Sequence, residues 1–183
     1  IDDNTFTKLS QQLVGIPVFN LTIENDGLRS ACIINALHII PSDSMKADAL
    51  AQWQKKEAGS NAIAQAWHPD FVKFAARDLN KRFKKKQKTE MDDYSWAAWA
   101  AVKMTSDTVA RTKITDPTNM LNYLKKELTF DGQKGSNMNF RTTGQLRQLI
   151  LLVEDDKIVA EAPVRGIASP PTLDSLGILN CEK

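Results

Sequence analysis

The sequence predicts an α/β fold in which a few short strands are flanked by helices and closed by a C-terminal β-hairpin. Three observations predict it. Two short apolar runs, 16–21 and 32–40, are rich in the β-branched residues of buried strands. Several later stretches repeat their apolar residues at intervals of three and four, the period of a helix packed by one face. Finally, GQLRQLILLVEDDKIVAEAP (144–163) reads as two strands around a charged turn.

Each element follows from local signals. Residues 4–13 (NTFTKLSQQL) predict a short helix, and Gly15 and Pro17 open a strand containing Ile16, Val18, Phe19 and Leu21. Residues 24–30 (ENDGLRS) read as a loop from their Asn, Asp and Gly. The run 32–40 (CIINALHII), ended by Pro41, reads as a second strand. Ser42 has the form of an N-cap for a helix over 43–57, with Met45, Ala49 and Trp53 on one face. Residues 57–65 (EAGSNAIAQ) form a small-residue, turn-like join. Asp70 is expected to cap a helix in which Phe71, Phe74, Ala75, Leu79 and Phe83 recur at helical spacing. A helix over 92–112 carries Tyr94, Ala98, Ala101 and Val102 on one side, with Trp96 and Trp99 on the flank. Asp116 and Pro117 have the form of an N-cap and a first-turn residue, opening a helix with Met120, Leu121, Leu124 and Leu128 inward. A glycine-rich turn (130–137) precedes strands near 138–142, 146–153 and 158–162, and the tail from Ser169 is irregular and broken by prolines.

Composition bounds the function. A chain of 183 residues suits one domain, and 42% hydrophobic with 25% charged residues is ordinary for a globular protein. A net charge of +2 is too mild to imply a nucleic acid or an anionic membrane as partner. No run approaches the ~18 apolar residues of a membrane span. The chain begins at Ile1 without a methionine or an apolar leader, as expected of a mature or trimmed product. In KRFKKKQK (81–88) six of eight residues are basic, but no aromatic platform accompanies them. A solvated helix end complementing the helix dipole is the expected role, with no nucleic-acid partner.

Motifs of catalysis are missing. His38 lies in an apolar run and His68 in AWHPDF, neither with a second ligand at zinc spacing, so no metal is expected. His68 and Asp70 are expected to close a helix start rather than to exchange protons. There is no G-x-S-x-G, P-loop or G-x-G-x-x-G. Asp92 and Asp93 diverge by about 100° on a helix and cannot face each other as an acid pair. Trp53, Trp67, Trp96 and Trp99 fit core aromatics better than a binding site. No enzyme and no cofactor is expected. Cys32 and Cys181 are either two buried thiols or one disulfide holding the C-terminal tail.

Three segments together resemble a family. GIPVFNLTIENDGLRSACIINALHIIPSDSMKADALAQW (15–53), DDYSWAAWAAV (92–102) and FDGQKGSNMNFRTTGQLRQLILLVEDDKIV (130–159) are similar to the first lobe of type I periplasmic solute-binding proteins of the branched-chain amino acid class. The order of smaller elements, PS…ALAQ, AWH, RF, QLRQ and LD-x-LG, resembles a subgroup encoded with PQQ-dependent alcohol oxidation systems. The resemblance implies residues 1–183 as a single reduced lobe, with a short join at 57–66 where that family places most of a second lobe. It implies a periplasmic location and hence a Cys32–Cys181 disulfide. Ligands of such sheets sit beyond the carboxyl ends of the strands. Asn20, Leu21 and Thr22, then Ser42 and Ser44, and Tyr94 on the returning helix are therefore the expected contacts of a small polar solute. The alternative is an accessory or interaction subunit that kept the scaffold without the cleft and acts through self-association or a periplasmic partner.

Overall fold

The computed structural model describes residues 1–135 and 137–181. Their order is α1 (Asp3–Gln12), β1 (Val18–Asn20), α2 (Gly27–Ser30), β2 (Ala36–His38), α3 (Asp43–Lys56), β3 (Ile63–Gln65), α4 (Ala76–Gln87), α5 (Asp93–Thr112), α6 (Pro117–Lys126), β4 (Ile150–Glu154) and β5 (Lys157–Ala162). A 3₁₀ turn, Leu173–Ser175, lies in the tail.

Two small sheets organise these elements. β1 and β2 pair in parallel, Val18 opposite Ala36 and Asn20 opposite His38. A parallel bridge from His38 to Gln145 brings a third segment to β2 from far along the chain. The second sheet is antiparallel in the order β3-β4-β5. The main core joins both, from Leu37 and Ile39 through Trp67, Trp96 and Met104 to Leu146 and Leu151. A second cluster fixes α3 to the hairpin through Met45, Ala49, Trp53, Ile150 and Leu152.

The caps explain why several helices start where the sequence places them. Ser42 Oγ accepts from the Met45 amide at 3.2 Å, and Lys55 and Lys56 meet the negative end of α3. Asp116 Oδ1 accepts from the Asn119 amide at 2.8 Å, with Pro117 in the first turn of α6. Met120, Leu121, Leu124 and Leu128 are all buried. The hairpin stands around its charged turn, through Asp155 and Asp156, which take left-handed backbone angles of 49° and 57°. However, β4 starts at Ile150 rather than near 146, and its apolar run is buried from Ile150 to Val153.

Other expectations are corrected. Residues 24–30 are not all loop, because Gly27–Ser30 winds one helical turn that inserts Arg29 into the interior. β2 is only Ala36–His38, since Cys32 turns through a left-handed angle of 47° and Ile34 is exposed. Part of the turn-like join is strand, Ile63–Gln65, formed because β4 offers it a partner edge. Asp70 caps nothing. Its amide donates to His68 Nδ1 at 3.2 Å, and α4 begins six residues later, after Phe74 and Ala75 take left-handed angles of 50° and 67°. The inward face of α5 is Trp96, Ala97, Ala100, Ala101, Met104 and Thr108. Tyr94, Ala98 and Val102 look outward, and Val102 is 70% exposed. Trp96 sets that choice: its indole N–H donates to Gly132 O at 3.1 Å inside the core.

Cys32 and Cys181 form a disulfide, with Cα atoms 5.7 Å apart across 149 residues of sequence. It fastens the tail to the turn before β2. No helix among the described residues is long and apolar enough to cross a membrane.

Candidate functional site

The loops leaving the carboxyl ends of β1 and β2 are held by one buried guanidinium. Arg29 Nη1 donates to Ile23 O at 2.6 Å and Asn25 O at 2.8 Å, both in the first loop. Its Nη2 donates to Ile40 O in the second at 3.0 Å, and its Nε to Gln145 Oε1 at 2.9 Å. Gln145 in turn donates to His38 O and Ile40 O at 3.1 and 3.2 Å. Burial draws the Arg29 pKa down to about 10, opposed by the carboxylates of Asp26, Asp43 and Glu24. It stays a cation at neutral pH, and its planar fork meets several carbonyls that a lysine would reach singly.

The residues predicted as contacts divide between buttresses and surface. Asn20 is buried: its amide N donates to Ile23 O at 2.7 Å and to His38 Nδ1 at 2.9 Å, and its oxygen accepts from the Ile23 amide. These bonds put the His38 proton on Nε2. Burial, with help from Arg29, draws the His38 pKa down to about 3, so the ring is neutral. Leu21 is half-buried against the main core, and Thr22 is exposed. Ser42 caps α3, and Ser44 donates through its hydroxyl to Asp26 Oδ1 at 2.6 Å and through its amide to Oδ2 at 2.9 Å. Tyr94 is 49% exposed at the start of α5.

Tyr94 borders a recess of about 360 Å³ that gathers five separate segments, the fifth being the hairpin turn at Asp156. Glu24 comes from the loop after β1, Lys46 from the first turns of α3, Trp67 and His68 from the segment after β3, and Asp92 and Asp93 from the start of α5. Lys46 Nζ lies 2.7 Å from Glu24 and 4.0 Å from Asp93. It is the one lysine or arginine among a lining that also holds Glu90, Asp92 and Asp156, so the recess is acidic. Asp93 also accepts from the Trp67 amide at 2.8 Å. His68 is buried, with Nε2 3.2 Å from Asp156 in the hairpin turn. Burial works upward on Asp92, but hydrogen bonds from Ser95 outweigh it and hold the carboxyl below its usual range. The lining thus offers carboxylates, an ammonium and a phenol to a small polar molecule. No cluster of three metal-ligating side chains occurs among the described residues.

The sequence pointed to Tyr94 here but not to Glu24, Lys46 or His68 as its neighbours. Their convergence has no local signature, because it arises only when α3, α5 and the segment after β3 pack together.

No family model matches this sequence, and neither does any curated protein. Solved structures do. An ABC transporter substrate-binding protein from Desulfitobacterium hafniense matches over 85% of this chain and 77% of its own, at 10% identity and a TM-score of 0.72. The chain shares that protein's fold. A branched-chain amino acid ABC transporter periplasmic ligand-binding protein from Burkholderia xenovorans LB400 matches over 60% of this chain and 33% of its own, at 20% identity and a TM-score of 0.49. An ABC-type branched-chain amino acid transporter from Rhodopseudomonas palustris CGA009 matches over 73% of this chain and 36% of its own, at 18% identity and a TM-score of 0.49. The matched region is about a third of the length of these last two proteins.

Proposed function

We propose that the chain is a non-enzymatic, periplasmic solute-binding module of the ABC-transporter substrate-binding type, serving cells that carry out PQQ-dependent alcohol oxidation. One observation carries this reading. On a fold shared with a substrate-binding protein, polar side chains from five segments meet in one recess, one of them the loop beyond the carboxyl end of β1. The chain acts as one reduced lobe, with the join at 57–66 standing where a second lobe would branch. Tyr94, which borders the recess, touches the solute, Thr22 reaches solvent on the loop that carries Glu24, and Asn20, Leu21, Ser42 and Ser44 hold the two loops in place. The excess of carboxylates, Glu24, Glu90, Asp92, Asp93 and Asp156 around the single Lys46, suits a solute bearing an amine.

A second reading is an accessory subunit that kept the scaffold and works through association. It is favoured by Asn20, Ser42 and Ser44, whose polar atoms are engaged inside the protein. A single lobe also covers a ligand from one side, whereas small-molecule sites enclose about 70–90% of the ligand surface.

Calorimetry on the chain with amino acids, small carboxylic acids and PQQ tests both readings. A one-to-one complex of micromolar affinity, weakened by Tyr94→Ala, supports solute binding. No heat from any of them, with a mass above that of a monomer, rejects that reading in favour of the second.

A further inference from the structure

A groove of about 800 Å³ runs between α4 and α5 and shares no lining residue with the polar recess. Its apolar wall is built from Leu79 and Phe83 on α4 and from Ala98, Trp99 and Val102 on α5. Val102 is 70% exposed, and Phe83 and Trp99 are half-buried. Arg82 and Lys86 stand beside this strip, and no carboxylate lines the groove. Among the described residues the one ion pair on α4 joins Lys84 to Glu90, which leaves Arg82 and Lys86 without an acidic partner. A solvated helix end accounts for cations along 81–88, but not for an apolar trough laid beside two of them.

We propose that this groove docks an acidic amphipathic helix of a second protein. The helix would seat its apolar edge on Phe83, Trp99 and Val102 and set its carboxylates against Arg82 and Lys86. A trough between two helices receives the ridge of a third, and apolar anchors at i, i+3, i+4 and i+7 are the usual form of helix-in-groove recognition. From Leu79 to Lys86 the trough is about 10 Å long, two turns of a partner helix. A flat lipid surface would reach Val102 but not the concave floor. A second copy of this chain cannot supply the occupant, since none of its described helices holds more than two carboxylates. The inference rests on the accessory-subunit reading and gives it a surface and a partner chemistry.

The test uses the intact chain and three fluorescein-labelled 18-residue helical peptides. They share one leucine stripe and carry Glu, Gln or Lys at every flanking position. The Glu peptide should bind with micromolar affinity, the Gln peptide about tenfold more weakly, as expected for rim charges, and the Lys peptide not at all. Arg82→Gln with Lys86→Gln should cost the Glu peptide that same factor and leave the Gln peptide unchanged. Val102→Asp, on a side chain already in solvent, should abolish binding of both while circular dichroism stays native. Equal binding of all three peptides, or a Glu preference that survives the double substitution, overturns the proposal. So does binding to phosphatidylglycerol vesicles without binding to the Glu peptide. Sedimentation of the chain alone separates the two levels of the argument. Self-association without any bound peptide defeats the groove and leaves the accessory-subunit reading intact.

Discussion

Raising the pH from 7 to 9 should stabilise this protein, and Lys134 is the reason. Its side chain is fully buried, with Nζ 4.1 Å from the centre of the Trp96 ring. It donates to Gln148 Oε1 at 2.8 Å and to Leu149 O at 3.1 Å. Burial draws its pKa from 10.5 down to about 7, against an upward pull from Asp93. Between those two values the unfolded chain holds a proton that the folded chain has released, so stability climbs with pH. Below about 7 both states are protonated and this contribution levels off at its least favourable value. Linkage then gives a gain of about 2 kcal/mol between pH 7 and pH 9. Lys134→Met keeps a long unbranched side chain and removes the titration. The variant leaves two buried acceptors unpaired, at about 1–3 kcal/mol each, opposed by relief of the buried charge. Its absolute stability is therefore less informative than its pH slope. Urea unfolding of both proteins across pH 6 to 9 measures that slope. Parallel curves for the two proteins above pH 7 would refute the reasoning.

Two further outcomes follow from backbone and covalent geometry. Gly144→Ala should cost more than about 2 kcal/mol, read from the urea midpoint, because its Cβ would stand 2.3 Å from Ala36 O at a φ of +78°; an unchanged midpoint would contradict it. Non-reducing peptide mapping should recover the Cys32–Cys181 pair, and replacing both by serine should lower stability by about 2–5 kcal/mol; full alkylation of the native protein would remove the bridge.

The elements legible in the sequence are those whose signals are local. Asp116–Pro117 and the leucines of α6 carry their own cap and period, as does Ser42 before α3. The hairpin is written in an apolar run and a second short strand around the charged turn at Asp155 and Asp156. β3 was hidden because Ile63-Ala64-Gln65 becomes strand only through β4, which supplies the hydrogen bonds. The face of α5 was ambiguous because alanines at 97, 98, 100 and 101 fit either side. Tyr94, singled out for its place at a helix start, borders the candidate recess. Arg29 gave no sign of its burial, because its acceptors are mainly backbone carbonyls, and any residue type can supply those.

The bridge between His38 and Gln145 also bears on how the chain reaches its native state. Gln145 bonds to the carbonyl of His38 across 107 positions of sequence, whereas β4 and β5 meet across a two-residue turn. A hairpin of that kind closes in about 1–10 microseconds, but a parallel pairing must first absorb the entropy of a long loop. The C-terminal hairpin should thus form early and offer its edge to β3. The arrival of segment 144–146 beside β2, where Gly144 leaves room for Ala36 O, would be the late step that locks the Arg29 network into place. Until then β2 has an unpaired edge, so the apolar residues of 36–40 are open to edge-to-edge aggregation during folding.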